Sequence, residues 1–288
     1  MSICAFVNIN KSQNMTSSDA VVVVRGIMRR ITGERYKVGH MGTLDPMATG
    51  VLPIAVGKAT RLFDLLSEKK KTYIAEFVFG KTTDTLDAWG EVTDCNDKIV
   101  TIGDIEAVLP KMIGDIDQIP PTYSAKSVDG KRAYEYARKG IQLELPAKTV
   151  KIYDIKVLDG ENNKFKFEIT CGAGTYIRAI ARDIASALNT YGYMNSLIRT
   201  NSGQFSIDNA VDIKEFEKEP EKYLISMEEA LSGYPFFEIP QEFQKQVLNG
   251  IKIHFDNMPN ETFVATINNG VVGIAENKCG KLILDLRL

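Results

Sequence analysis

The sequence lacks the residues that build the commonest metal and disulfide sites. It has only two histidines and four cysteines in 288 residues. The cysteines are scattered and form no Cys-x-x-Cys pair, so a zinc site made of cysteine and histidine is not expected. We predict that the four thiols are reduced and mostly buried, as is usual inside cells.

Long hydrophobic runs are also lacking. The single apolar segment near the N-terminus, Ile3 to Ile9, is far shorter than the ~20 residues that a membrane-spanning helix needs. It has neither the basic lead nor the cleavage site of a signal peptide. We therefore predict a soluble, cytoplasmic protein, and its 44% hydrophobic residues are enough for one large domain and one small one.

A strong net charge, which would indicate a nucleic-acid-binding protein, is lacking as well, because the formal charge is only −2. The charge is unevenly distributed, however. Residues 1–206 carry a net charge of +4 and residues 207–288 carry −6. A polyanionic partner is therefore expected to bind the first two-thirds of the chain.

What the sequence does have is a stretch that is dense in glycine and proline, Gly39 to Gly57. In its middle Asp45 is followed by Pro46, which favours an extended backbone at the aspartate. Such a loop is typical of a structural turn, of a carboxylate held rigidly for chemistry, or of a phosphate-binding loop. The last interpretation is weakened because the stretch has neither a Gly-x-Gly-x-x-Gly motif nor a Gly-Lys-Ser/Thr ending.

The stretch GHMGTLDPMATGVLPIAVGKAT, residues 39–60, resembles the catalytic motif of the TruB-type tRNA pseudouridine synthases. This resemblance implies that Asp45 is the nucleophile and that His40 contacts the substrate. An earlier segment keeps Lys11, Thr16 and Ser17 of the family pattern N-K-P-x-G-x-T-S but lacks its proline and glycine. Lys11 is thereby implied to bind substrate, while the path of this loop stays open.

Three further segments resemble motifs of the same family. The stretch K-T-Y-x-A-E implies that Tyr73 stacks on the target base, with a possible second role in proton transfer. The stretch G-T-Y-I-R-x-x-x-x-D implies that Arg178 pairs with the nucleophilic carboxylate and that Tyr176 lines the base pocket. A third stretch, L-x-R-T-x-S-G-x-F, implies that Leu197 packs on the base. Trp89, the only tryptophan, stands where the family more often has an acidic residue.

Residues 119–151 combine cations with tyrosines. Such a segment is typical either of an amphipathic surface helix or of an RNA-binding surface, where cations contact phosphates and aromatic rings stack on bases. It resembles the family's inserted thumb, which closes on RNA. The predicted contacts to the RNA backbone are Lys126, Lys131, Arg132, Arg138 and Lys139.

Periodicity predicts several elements directly. Thr16 and Asp19 have the capping-box spacing before an apolar pattern of period 3.6, and Gly33 is predicted to end this helix. A second helix is predicted to begin behind Thr175 as its cap. Alternating or continuous apolar runs predict strands at residues 6–9, 51–56, 73–79, 164–170, 263–267, 271–275 and 282–286.

The resemblance implies an α+β pseudouridine-synthase fold with a central mixed or antiparallel sheet and the thumb insertion. We predict that this catalytic domain spans residues 1–225, because the polar, acidic stretch of residues 215–223 is typical of a domain boundary. Residues 226–288 are predicted to form a small C-terminal β domain that is PUA-like.

The function that the resemblance implies is the isomerisation of U55 in the T-arm stem-loop of tRNA to pseudouridine, without metal or other cofactor. The expected partner is tRNA alone, with no membrane and no obligate protein partner, and a monomer is expected. Two alternatives stay open: a non-catalytic tRNA-binding or tRNA-folding protein, and a nucleosidase or glycosidase that pairs Asp45 with Asp84 or Asp87. Residue types alone do not decide whether Asp45 attacks C1′ or C6 or supports a glycal route.

Overall fold

A computed structural model describes residues 3–67, 70–123, 127–128, 131–132, 136 and 145–288. Three of the predicted RNA contacts, Lys126, Arg138 and Lys139, lie outside the described residues. For Lys131 and Arg132 only the backbone is described, as one strand of a short two-stranded hairpin. No helix among the described residues has the length and apolar character needed to cross a membrane.

The described residues contain nineteen strands and seven α-helices. The strands are β1 (Ala5–Lys11), β2 (Val38–His40), β3 (Thr49–Val56), β4 (Lys71–Phe79), β5 (Lys81–Thr83), β6 (Val92–Cys95), β7 (Gly114–Gln118), β8 (Ser127–Val128), β9 (Lys131–Arg132), β10 (Lys148–Glu161), β11 (Lys164–Cys171), β12 (Gly192–Ser202), β13 (Phe205–Ser206), β14 (Ile225–Ser226), β15 (Phe236–Glu238), β16 (Ile253–His254), β17 (Phe263–Ile267), β18 (Gly270–Lys278) and β19 (Lys281–Arg287). The helices are α1 (Ser17–Thr32), α2 (Phe63–Ser67), α3 (Ile102–Val108), α4 (Ile177–Ala187), α5 (Ile213–Lys218), α6 (Met227–Ala230) and α7 (Gln244–Leu248).

A large sheet organises the chain. Its strands follow the order β14-β1-β3-β12-β4-β11-β10-β7, with β2 paired to β3 and β13 paired to β12. Strands β3 and β12 run parallel, whereas the other described pairs of this sheet are antiparallel. The predicted mixed sheet is therefore confirmed. Its parallel pair joins the strand that follows Asp45 to the strand that carries Leu197.

The alternation predicted for β4 and β11 is confirmed. Every second residue of each strand is buried on the face covered by helices, and the intervening residues are less buried. Phe77 and Phe167 pack with ring centroids 4.7 Å apart, in the range of favourable aromatic pairs. The buried faces of β4 and β11 form one side of the core, and Ile180 and Ile184 of α4 belong to the same buried cluster.

Helix α1 begins and ends as predicted. The Thr16 hydroxyl accepts the Asp19 N–H at 3.0 Å and the Asp19 carboxylate accepts the Thr16 N–H at 2.9 Å, which completes the capping box. Gly33 ends the helix in the left-handed conformation, with φ of 74°. The prediction that Thr175 caps α4 is wrong. Its hydroxyl donates to the Gly172 carbonyl at 3.0 Å and so closes the preceding turn.

A second, five-stranded sheet follows in the order β15-β17-β18-β19-β16. It contains the three predicted C-terminal strands, and Asn268 and Asn269 both have positive φ in the predicted turn between β17 and β18. Its Val264 and Ile274 belong to one apolar cluster with Phe6 of the large sheet. Strand β14 pairs with β1 across the predicted boundary at residues 225 and 226, and the division into domains stays a prediction.

Gly50 provides a test of the parallel contact between β3 and β12. Its φ is +98°, and a Cβ atom would lie 2.3 Å from the Arg199 carbonyl oxygen. We expect Gly50→Ala to lower the free energy of unfolding by about 2–4 kcal/mol, because strain in φ adds to a backbone clash. Urea-induced unfolding measures this change.

Gly26→Ala is the matched control for Gly50→Ala. Gly26 lies on the exposed face of α1 with no atom within 4 Å of the added Cβ. Alanine there should raise stability by about 0.5–1 kcal/mol, because glycine disfavours helix interiors. Equal effects of the two substitutions would contradict this description of the strand contact.

Candidate active site

The first residue of α1 and the segment before it hold the loop that carries Asp45. The Ser17 hydroxyl accepts the Leu44 N–H at 2.8 Å and donates to the Leu44 carbonyl at 3.1 Å. The Asn14 N–H donates to the Pro46 carbonyl at 3.0 Å. The residues on both sides of Asp45 are thus held by the backbone and hydroxyl groups of one neighbouring segment, while the Asp45 side chain stays 34% exposed.

Lys11 lies under the same loop. Its side chain is fully buried, and its amine donates to the carbonyls of Ser12 at 2.9 Å, Met15 at 2.7 Å and Pro46 at 3.4 Å. Burial lowers the pKa of Lys11 to about 8, and the nearby Asp45 carboxylate partly opposes this shift. The predicted substrate-binding lysine is therefore engaged with the backbone of the loop.

Arg178 makes the predicted contact with Asp45. The residue lies in the first turn of α4, and its side chain is only 6% exposed. Its Nη2 donates to Asp45 Oδ1 at 3.3 Å. Its Nε lies 3.0 Å from Asp45 Oδ2 but without the alignment of a hydrogen bond, so this second contact is electrostatic. The guanidinium therefore faces both carboxylate oxygens.

The other side of the Arg178 guanidinium is held by two further segments of the chain. Nη1 donates to the Thr85 carbonyl at 2.9 Å, and Nη2 donates to the Tyr123 carbonyl at 2.9 Å. Asp87 Oδ2 lies 3.4 Å from Nη1, and the Asp87 side chain is 11% exposed. One buried cation thus connects two carboxylates and two carbonyls, and these partners offset its desolvation.

Asp87 is a site residue whose contact with Arg178 was not predicted. Its Oδ1 accepts the Thr85 hydroxyl at 2.8 Å and the Trp89 N–H at 3.0 Å, which fixes the carboxylate. A signal is present in the sequence, because the stretch T-D-T-L-D, residues 83–87, resembles the family pattern after the strand that carries Tyr73. Asp84, the other acid of that stretch, is exposed and accepts the Glu91 N–H at 2.9 Å.

Tyr73 and Arg199 face each other on paired strands of the large sheet. Burial raises the pKa of the Tyr73 hydroxyl above its usual value, although the neighbouring Arg199 guanidinium opposes the shift, so the phenol is protonated at neutral pH. Arg199 is fully buried and donates to the carbonyls of Val51 at 2.7 Å and Gly42 at 3.1 Å. Sequence reasoning quoted Arg199 within a motif but assigned it no role.

The remaining predicted site residues lie on surrounding elements. His40 ends β2, and burial lowers the pKa of its imidazole below the usual value, so the ring is neutral at pH 7. The backbone of Tyr176 is held by Gln118, which accepts the Tyr176 N–H at 2.8 Å and donates to its carbonyl at 3.2 Å. Leu197 is buried on β12.

Comparisons with known proteins identify the family of the chain. The family described as TruB family pseudouridylate synthase (N terminal domain) matches residues 29–177. Over 278 residues the chain is 40% identical to the tRNA pseudouridine synthase B of Clostridium kluyveri, covering 94% of each protein. Over 255 residues it is 42% identical to the protein of the same name from Geobacillus thermodenitrificans, covering 84% of this chain and 83% of the relative.

Two solved structures resemble the fold. One is a Cbf5-Nop10-Gar1 complex, with a TM-score of 0.71 and 24% identity over 99% of this chain and 84% of that chain. The other is an H/ACA RNP bound to a substrate RNA containing 2′-deoxyuridine, with a TM-score of 0.70 and 23% identity over 98% and 84%. At these identities the likeness concerns the fold, and it confirms the predicted fold class.

The buried amine of Lys11 predicts how stability depends on pH. Its pKa is about 8 in the folded chain against an ordinary value of 10.5. Between these values the unfolded chain binds a proton that the folded chain has released, so the free energy of unfolding should rise with pH. Lys11→Met lacks this contribution, and its stability deficit relative to the wild type should therefore widen from pH 8 toward pH 10.5.

Urea unfolding at several pH values measures the difference between wild type and Lys11→Met. Lys58→Met, which removes an exposed lysine after β3, controls for the change in net charge. A deficit of Lys11→Met that does not change with pH would contradict the burial assigned to this amine.

Proposed function

Because the chain belongs to the TruB family of pseudouridylate synthases, we propose that it isomerises U55 in the T-arm of tRNA to pseudouridine, with Asp45 as the nucleophile. The observation that carries this proposal is the partly exposed Asp45 carboxylate, held on both oxygens by the buried Arg178 guanidinium. Curated relatives that share most of the chain are named for tRNA, which supports tRNA as the substrate.

The reaction breaks the glycosidic bond between N1 and C1′ of the uridine, turns the uracil, and forms a bond between C5 and C1′. The hydrogen on C5 leaves as a proton and N1 takes up a proton from solvent, so the product is an isomer of the substrate and no electrons are gained or lost. A carboxylate can act covalently at such a carbon. Attack at C1′, attack at C6 and support of a glycal route all require an ionised, accessible and oriented Asp45. Arg178 supplies the orientation.

The residues around the carboxylate suit an extruded base. Extrusion of a uridine from its stack costs a few kcal/mol of stacking free energy, and stacking and apolar contacts in the pocket can offset this cost. Tyr73 supplies the ring for stacking and keeps its phenolic proton at neutral pH. Leu197 and Tyr176 line the base pocket, and the neutral imidazole of His40 contacts the substrate.

Lys11 and the cations of the thumb have different roles in this proposal. The Lys11 amine joins its own segment, through the carbonyls of Ser12 and Met15, to the Pro46 carbonyl of the Asp45 loop, and we propose that it affects substrate binding through this contact. The cations of the thumb, Lys126, Lys131, Arg132, Arg138 and Lys139, stay predicted contacts to the RNA backbone. The protein is proposed to act as a monomer on tRNA in the cytoplasm, without a cofactor and without a protein partner.

The nucleosidase alternative needs a second carboxylate on the far side of the scissile bond. Asp84 is exposed and engaged with the Glu91 N–H, and Asp87 is directed at the Arg178 guanidinium. Both observations favour the isomerase over a paired-carboxylate hydrolase. The binding-protein alternative does not require Asp45 and is decided by the experiment below.

The proposal is tested with a T-arm RNA hairpin that carries tritium at C5 of its uridine. Wild type should release tritium, because C5 loses its hydrogen when the new carbon–carbon bond forms. Asp45→Asn should release none while binding the hairpin with unchanged affinity, because the amide cannot act as a nucleophile. A folded wild type that binds the hairpin and releases no tritium would instead support the binding-protein alternative.

The role of Arg178 predicts the effect of a charge-conserving substitution. Arg178→Lys keeps the cation, but a compact ammonium cannot face both oxygens of Asp45 and also reach the carbonyls of Thr85 and Tyr123. We expect the single-turnover rate of tritium release to fall by about a hundredfold, the cost of a misplaced catalytic group.

Arg182→Lys is the control for Arg178→Lys. Arg182 lies one turn later on α4, where it contacts Asp183 and the Ile119 carbonyl. It should release tritium at nearly the wild-type rate. An unchanged rate in Arg178→Lys would show that the guanidinium geometry does not matter.

A further inference from the structure

The exposed tryptophan of this chain lies on the same loop as two contacts of the catalytic arginine. Trp89 is the only tryptophan in the sequence, and it is 51% exposed. Single exposed apolar side chains are common on proteins and need no function by themselves. The position of Trp89 matters because Thr85 and Asp87, four and two residues upstream of it on this loop, hold Arg178.

The backbone at Trp89 is fixed by the catalytic site itself. Its N–H donates to Asp87 Oδ1 at 3.0 Å, and the other oxygen of that carboxylate lies 3.4 Å from Arg178. The Gly90 N–H donates to the Asp87 carbonyl at 3.2 Å, so Trp89 occupies a tight turn. One hydrogen bond and one ion pair therefore connect the tryptophan backbone to the guanidinium that orients Asp45.

The rest of the loop is anchored to the large sheet. The Ala88 N–H donates to the Met194 carbonyl on β12, and the Met194 N–H donates to the Leu86 carbonyl, both at 3.0 Å. A Cβ atom at Gly90 would lie 2.3 Å from Asp84 Oδ1, which shows how closely the turn folds back on itself. An indole on such a support is presented to solvent with little loss of backbone freedom on binding.

The same loop also borders an open cleft next to the site. This cleft has a volume of about 490 Å³ and is lined by Asp84 and Leu86 of the loop, by Pro120 and Pro121 at the start of the predicted thumb, and by the Arg182 cation of α4. The cleft therefore borders the loop that carries Trp89 and that holds Arg178 through Thr85 and Asp87. Unpaired RNA bases are commonly bound by stacking on exposed aromatic side chains.

We propose that Trp89 is a stacking platform for an unpaired base of the RNA substrate next to the target uridine. This inference rests on the proposed function for the identity of the RNA. The indole carries a flat apolar face and binds any base through stacking, so it adds affinity and position without reading the sequence by hydrogen bonds. Trp89 thereby contributes to substrate selection from outside the base pocket.

The single tryptophan makes this inference directly measurable. Stacking on a nucleobase quenches indole fluorescence, and the emission of the full-length chain comes from Trp89 alone when tryptophan is excited selectively. Titration of Asp45→Asn with the T-arm hairpin, which prevents turnover, should quench this emission to saturation. The same titration is then repeated with hairpins that carry one abasic residue at each unpaired position. One abasic position should abolish the quenching.

Substitutions of Trp89 test how much the stacking contributes to the affinity for the hairpin. Trp89→Ala should weaken hairpin binding by about tenfold to a hundredfold, the usual effect of removing a stacking side chain, whereas Trp89→Phe should retain most of the affinity. The control is Phe236→Ala, which removes a similarly exposed aromatic ring from the second sheet and should have no effect. When the hairpin carries the abasic residue that abolishes the quenching, Trp89→Ala and the protein with Trp89 should bind it with equal affinity.

The outcomes separate this inference from the proposed function. Tritium release by wild type without base-dependent quenching, together with wild-type affinity in Trp89→Ala, would overturn the inference and leave the isomerase intact. Base-dependent quenching without tritium release would support the stacking role in a protein that is not an isomerase for this RNA. Quenching that survives at every abasic position would overturn the stacking role, because no base would then be its cause.

Discussion

The Arg178 guanidinium is the constraint on which the rest of the site depends. A buried charge costs several kcal/mol unless partners surround it, and removal of one partner from a buried pair typically costs about 3–5 kcal/mol. Arg178 obtains its partners from three separate segments, around Asp45, around Thr85 and Asp87, and at Tyr123. The Asp45 loop, the Trp89 loop and the segment at Tyr123 are therefore coupled through one side chain.

A second buried cation supports the same loop from inside the sheet. Arg199 binds the carbonyls of Gly42 and Val51, which lie on either side of Asp45, and its backbone passes close to Gly50. Arg199 also lies beside Tyr73, and its positive charge limits the rise that burial causes in the pKa of the Tyr73 phenol. The Asp45 loop and the Tyr73 ring thus share the Arg199 guanidinium as a neighbour. Glycine at position 50 lets the backbones of β3 and β12 meet where a Cβ atom would clash.

Much of the fold could be predicted because it depends on local patterns. The alternation of β4 and β11, the capping box before α1 and the turn at Asn268 and Asn269 each depend on neighbours in sequence. The cap assigned to Thr175 was wrong because a hydroxyl there can reach either the helix or the preceding turn, and residue type does not distinguish these partners.

The site was only partly predictable, because its decisive contacts are long-range. The resemblance to a family identified Asp45 and Arg178, which lie 133 positions apart and meet in the structure. It gave no role to Arg199 or to the contact of Asp87 with Arg178, since their partners lie on distant strands and loops. The burial of Lys11 against backbone carbonyls was equally hidden, because a lysine in a polar loop usually lies at the surface.

We infer that Asp45 works because the Arg178 guanidinium, which Asp87 contacts on its far side, orients it. The most direct test measures the single-turnover rate of pseudouridine formation in Asp87→Asn, with Asp84→Asn as the control from the same loop. We expect Asp87→Asn to lower the rate on the order of a hundredfold at unchanged RNA affinity, because Arg178 loses a charged partner. Asp84→Asn should retain the wild-type rate. A wild-type rate in Asp87→Asn would contradict the claim that this network positions the nucleophile.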